Sequence, residues 1–239
     1  MSTNYYPLIN KVLNFLSVKE HVTSSSPSLA HESSFVRPFI TIAREPGSGG
    51  APIAKRVAEK LNFEYIDEQI IDEISHSTKR RKAIIEEIDE KSRTKVADMV
   101  HSLMNVEYVD DTTYVSELVR VVLTYAYKGK TVILGRGANF YTPFAKGLHV
   151  NVVAPYDVRV QRAMDFEGHS KEKAKDVIAE VEKERKDFVK QYFRKNLDKH
   201  NAYDLTINTT YFRVEEAANV IIEAFKQKFS RSFPVLGKL

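Results

Sequence analysis

Two hydrophobic periods alternate along this chain. Short runs rich in β-branched and apolar residues, FITIA (39–43), FEYID (63–67), TVILG (131–135), HVNVV (149–153) and DLTIN (204–208), predict five strands. Between them, apolar positions recur at three- and four-residue steps and predict helices over 52–61, roughly 68–107, 115–128, 157–167, 170–196 and 213–229. This alternation predicts an α/β domain with a five-stranded, mainly parallel sheet flanked by helices. Ligands of such sheets bind beyond the carboxyl ends of the strands. Ahead of the first strand, Tyr5, Leu8, Ile9, Val12 and Leu16 predict a short amphipathic helix, followed by a Ser-rich linker over 21–34. The expected division is therefore 1–34 for helix and linker and 35–239 for the main domain.

The first strand runs directly into glycine-rich REPGSGG and then into a helix whose Ile53, Val57 and Leu61 share one face. Gly47, Gly49 and Gly50 can adopt backbone angles closed to other residues, and their N–H groups can converge on phosphate oxygens at the positive end of the helix. Pro52 suits the first helical turn, where a missing N–H costs little. A structural strand-to-helix turn would use the same glycines, but the flanking strand and helix favour an anion site. The loop departs from the GxxxxGK[ST] pattern of phosphate-binding loops. Gly50 stands where the lysine belongs, and Ala51 stands where the magnesium-binding hydroxyl belongs. Arg44 is the candidate for the missing charge, since a guanidinium can clamp a phosphate with two hydrogen bonds. Ser48 is a candidate hydroxyl.

Composition narrows the class. With 43% hydrophobic and 28% charged residues the chain is globular in character, and no apolar run approaches the ~20 residues of a spanning helix, so no membrane partner is expected. Cysteine is absent, which removes thiolate nucleophiles and Cys-containing zinc sites. The seven histidines form no HxxxH or HExxH pair, so no protein-held metal is expected. The net charge of +4 suits phosphate-bearing ligands and falls short of a nucleic-acid footprint. The first residues lack a basic segment leading into a long apolar one, so no secretory leader and a cytoplasmic location are expected. TKRRK at 78–82 is expected to form a solvated helix face.

REPGSGG followed by an alanine-rich helix resembles the cytidylate-kinase-like family of P-loop nucleoside-monophosphate kinases, and the similarity runs from about Phe39 to Phe229. YIDEQII at 65–71 resembles that family's YYDREII block, with Asp67 retained and Glu68 in place of arginine. VILGRGANF at 132–140 is similar to its GRGAN block, which implies that Arg136 meets the acceptor phosphate. Gly137 stands where authentic cytidylate kinases have Asp. APYDVRVQRA resembles a segment carrying two arginines. Arg159 and Arg162, three apart on one helix face, are accordingly expected at the substrate and at the catalytic centre; a salt-bridged surface face is the alternative. YDLTINTT at 203–210 resembles the final strand and the loop beside the donor base, which implies contacts from Asn208 and Thr209; the same residues could instead cap the next helix.

In the helix over 170–196, Ala174, Ile178, Val181, Arg185, Phe188 and Tyr192 fall on one stripe, placing Arg185 amid apolar neighbours. The resemblance implies a lid over 165–200, with Arg185 closing on the transferring phosphates, and a helical acceptor-binding insertion over 68–112. A connector helix with Arg185 snorkelling is the alternative. Together these features imply a P-loop kinase fold and transfer of the ATP γ-phosphoryl to a nucleoside monophosphate or similar small acceptor. Mg2+ would be carried in on ATP, and a homodimer is left open. Two rivals stand beside this reading: a catalytically weak nucleotide-binding regulator, and a kinase of a non-nucleotide small molecule.

Overall fold

The computed structural model describes residues 37–88, 90–104 and 112–230. The amphipathic helix and linker expected over 1–34 lie outside the described residues.

The first strand, β1 (Phe39–Arg44), is the centre of the sheet, and the strands β2 (Glu64–Ile66), β3 (Thr131–Leu134), β4 (Gly147–Val153) and β5 (Leu205–Asn208) complete it in the order β2-β3-β1-β4-β5. All four pairings are parallel, with Ile40 opposite Val132 and Leu148, so every strand ends at the same edge. Strand alternation then divides the apolar side chains between two faces. Ile40, Ile42, Val132, Leu134, Val150 and Val152 pack against helices α1 (Gly50–Leu61) and α8 (Val214–Phe229). Phe39 and Ile133 meet the opposite layer.

That opposite layer is α2 (Glu68–His76), α3 (Thr78–Glu86), α4 (Glu90–Met104) and α5 (Thr112–Lys128), joined by the end of α7 (Lys171–Phe193). Helix α5 is its axis: Leu118, Val119, Val122, Leu123 and Ala126 are fully buried, so it is covered on nearly all sides. Helix α6 (Tyr156–Glu167) packs on the first half of α7 through Val160, Ala163, Ala174 and Ile178. Among the described residues no helix is long and apolar enough to cross a membrane.

The single helical stretch expected over 68–107 is three helices. Ser77, in an extended conformation, breaks the first: its N–H donates to the Ile74 carbonyl at 3.1 Å, while its Oγ accepts from the Arg80 N–H at 3.3 Å. One residue thus terminates α2 and caps α3, a role that serine performs through its short hydroxyl.

Candidate functional site

At the carboxyl end of β1 the chain turns through Glu45–Gly49 into α1. Gly47 and Gly49 have φ of 76° and 82°, the left-handed region where a side chain is strained. A Cβ on Gly47 would also come within 2.8 Å of the Arg159 carbonyl oxygen, so the loop lies directly on α6. Gly49 caps α1, and the first N–H groups of a helix have no intrahelical acceptor. Gly47 through Ala51 line a cavity of about 790 Å³ whose far walls include Arg44, Arg162, Phe166, Arg185, Thr209 and Phe212. The loop's own hydroxyl, Ser48, is buried and donates to the Glu45 carbonyl at 2.8 Å.

Two arginines of α6 hold this loop from outside. Arg162 donates from Nη1 to the Ser48 carbonyl at 3.2 Å and to Thr209 Oγ1 at 2.9 Å, and from Nη2 to the Thr209 carbonyl at 2.7 Å. Thr209 Oγ1 donates in turn to the Ser48 carbonyl at 2.7 Å, so the last strand and the loop are tied through one guanidinium. Arg159 is 5% exposed and lies behind the loop. It donates to the carbonyls of Ala154 at 3.0 Å and Pro46 at 3.4 Å, and pairs with Glu182 of α7 at 3.3 Å. The two arginines therefore share a face but hold different groups of the protein, and Arg159 lies against the loop.

Arg44 takes a different course. A Cβ on Gly50 would overlap the Arg44 Cβ and lie 2.8 Å from its Cγ, so the arginine stem fills the space where a side chain at position 50 would begin. Its Nη1 donates to Glu68 Oε1 at 2.6 Å at the start of α2. Arg185 donates from Nη1 to the Arg44 carbonyl at 3.1 Å, with its Nε 4.0 Å from the same Glu68 oxygen. Burial, then the neighbouring Arg44 charge, pull Arg185 down to about 10. Burial pushes the Glu68 carboxyl up, but the Arg44 hydrogen bond and the charges of Arg44, Arg185 and Arg136 outweigh it and hold the group below its ordinary value.

Arg136 follows β3 in a left-handed conformation, φ 51°, and pairs through Nη2 with Asp72. Its guanidinium carbon lies 5.5 Å from the Phe188 ring centroid on α7, and its Nε is buried without a partner. Tyr114 donates to the other Asp72 oxygen at 2.7 Å; burial, then this hydrogen bond, push its phenol up to about 12. Asp67 caps α2, accepting from the Ile70 N–H at 3.0 Å. Asn208 is exposed and accepts from the N–H of Thr210 at 3.0 Å.

The cavity thus gathers Arg44, Gly47, Ser48, Gly49, Gly50, Ala51, Arg162, Arg185 and Thr209, while Arg136 is outside its lining and pairs with Asp72. Glu68, Asp72, Tyr114 and Phe188 did not figure among the sequence candidates. The four-residue step from Glu68 to Asp72, which puts two carboxylates on one helix face, was the available signal. Among the described residues no cluster of three or more His, Asp or Glu side chains is placed to hold a metal ion.

Residues 39–211 match the family model described as the cytidylate kinase-like family. The cytidylate kinase of Methanocaldococcus jannaschii is 26% identical over 201 residues, covering 78% of this chain and 96% of that protein. The uronate isomerase of Corynebacterium glutamicum is 30% identical over 99 residues, which is 41% of this chain and only 19% of that enzyme. Among solved structures, an uncharacterized protein from Eubacterium ventriosum superposes with a TM-score of 0.54 at 21% identity, covering 78% of this chain and 97% of that one.

Proposed function

The chain belongs to the cytidylate kinase-like family, and on that premise we propose that it moves the γ-phosphoryl group of ATP to a nucleoside monophosphate or a small acceptor of similar size and charge. The family supports a kinase-like phosphotransferase, and on this reading it takes ATP as donor and a cytidylate-like acceptor. The observation that carries the reading is the glycine loop at the amino end of α1, opening into a cavity with Arg44 and Arg185 on its wall. Backbone N–H groups at a helix amino terminus suit phosphate oxygens, and guanidiniums suit the charge of a transferring phosphoryl group.

The residues fit a nucleoside triphosphate. Gly47, Gly49, Gly50 and Ala51 would hold its phosphates, with Arg162 and Thr209 keeping the loop in shape from the cavity wall. Mg2+ bound to the nucleotide would neutralise charge between the phosphates. The chain offers it a methyl group at Ala51, and the Ser48 hydroxyl is engaged with Glu45, so the ion would enter on the nucleotide rather than in a protein cage. Arg136 would hold the acceptor phosphate, and Arg44 and Arg185 would stabilise charge between the two. The protein contributes position and electrostatics, with no covalent step of its own. A donor of this kind implies the cytoplasm as its place of action.

A second reading, a nucleotide-binding regulator of weak activity, is favoured by one feature: the Arg44 guanidinium, the replacement for the absent lysine, is already bonded to Glu68. One assay separates the two. ADP release is followed with ATP and Mg2+ across CMP, dCMP, UMP, AMP, GMP and small hydroxyl acceptors. Turnover with a monophosphate supports the kinase. Turnover with a hydroxyl acceptor alone moves the acceptor out of the nucleotides, and ATP binding without turnover on any acceptor supports the regulator.

A further inference from the structure

The Arg44–Glu68 pair is built into the backbone. Two glycines give up their side chains to it: Gly50 beneath the arginine stem and Gly135 against its head. A Cβ on Gly135 would overlap Arg44 Nη1 and come within 2.5 Å of Glu68 Oε1. The pair is also reachable, since the Arg44 side chain is 10% and that of Glu68 27% exposed. Arg44 and Arg185 both line the cavity beside the glycine loop. Glu68 is thus the anion at the point where two cavity arginines meet, and the Arg136 charge acts on it as well.

We propose that Glu68 is a displaceable counter-anion, holding the place of a ligand phosphate between Arg44 and Arg185 until phosphate binds and the arginines exchange one anion for the other. This rests on the phosphate-binding reading of the cavity. Electrostatics explains why such a group is needed. Guanidiniums gathered in a partly buried site repel one another; Arg185 is pulled down first by burial and then by the Arg44 charge, even with the carboxylate present. Removing an anion outright would leave those charges uncompensated, whereas replacing a carboxylate by a phosphate keeps the balance. The released carboxylate has somewhere to go, because Glu68 is the first residue of α2, where the helix dipole favours negative charge. One turn later Asp72 stands in the same relation to Arg136, so a single face of α2 supplies both the donor-side and the acceptor-side arginines with anions.

The consequence is competition, and it is measurable without turnover. Calorimetric titration of the full chain with inorganic pyrophosphate and with ATP is compared for the parent, Glu68→Gln, Glu68→Ala, Arg44→Gln and the double variant Arg44→Gln/Glu68→Gln. Thermal melts establish that each is folded. Removing the carboxylate is expected to tighten pyrophosphate and ATP on the order of tenfold, the scale of one charge-assisted hydrogen bond no longer contested. The gain should disappear in the double variant relative to Arg44→Gln alone, because the carboxylate acts through Arg44. Unchanged or weaker binding in both folded Glu68 variants, with a parent that binds, overturns the counter-anion and leaves the phosphate site standing. Binding by the Glu68 variants and not by the parent supports it in its strongest form. Absence of pyrophosphate and ATP binding from every protein in the set removes the phosphate-binding reading, and this inference with it.

Discussion

The glycine loop and the region toward α2 are both held by arginines, but those arginines differ in their main partners. Around the loop, Arg159 and Arg162 donate mainly to backbone carbonyls, those of Ala154, Pro46, Ser48 and Thr209. Toward α2, Arg44 and Arg136 are paired with the carboxylates Glu68 and Asp72. Arg162 on carbonyls keeps its positive charge uncancelled, while Arg159 is also paired with Glu45 at 3.5 Å and Glu182 at 3.3 Å; both fix the shape of the loop before any ligand arrives. A guanidinium on a carboxylate is neutralised and must change partner to serve. The first region is preorganised and the second is held in reserve.

The largest expected effect tests the reserve. Arg44→Ala should lower turnover by a factor on the order of 100 or more, because charge stabilisation is lost where it develops. Arg44→Lys should restore only part of it, since an ammonium keeps charge without the two-pronged geometry. Steady-state kinetics on the best acceptor decides, and full activity in Arg44→Ala would leave charge stabilisation to Arg185 and the loop.

Next in size is Arg136→Ala, which should weaken acceptor binding by about 1.5 to 3 kcal/mol while leaving ATP binding near the parent value. Separate titrations with the two ligands check this, and equal weakening of both would erase the division into two sides. Arg162→Ala should show the converse at smaller scale. Its three bonds to the loop and Thr209 are lost, but the Thr209–Ser48 bond remains, so ATP affinity should fall about tenfold with the acceptor unaffected.

The smallest effect is in acid. Glu68 titrates below its ordinary value in the folded protein, so the pair contributes stability above the unfolded carboxylate range and loses it as pH falls through the folded value. The parent should therefore be more stable than Glu68→Gln at neutral pH, by about 1 kcal/mol or less for a part-exposed pair, with the gap closing as pH falls below the ordinary glutamate range. Melting temperatures across that range would show it, and a gap independent of pH would mean that packing, not charge, is what Glu68 supplies.

The sheet, the glycine turn and the helix after it were legible because their determinants are local. Ile40 and Ile42 alternate, Ile53, Val57 and Leu61 recur on one face, and Gly47 and Gly49 take the angles that only such a turn demands. The stripe on α7 was legible too, and Arg185 within it does reach the cavity. Where the long side chains end was not legible. Arg159 and Arg162 are one helical turn apart, yet one seals the back of the loop and the other ties it to Thr209, a choice made by carbonyls just past the ends of β1, β4 and β5. Arg44 could be placed at a strand end from sequence, but its direction depends on Glu68, Gly50 and Gly135 together. The break at Ser77 was hidden because both neighbouring segments carry helical periods.

The position of β1 has a bearing on how the protein is made. It is the first described strand and the middle of the sheet, and its neighbours arrive late: Ile40 pairs with Val132 and Leu148, about 90 and 110 residues further along. At a synthesis rate of roughly 5 to 20 residues per second, β1 would wait about 5 to 20 s after leaving the ribosome before its first partner exists. During that interval the run FITIA is an unpaired hydrophobic strand, and the non-local pairing it awaits is the slow kind. The strand that leads into the glycine loop is therefore a segment exposed to mispairing while the chain is still being translated.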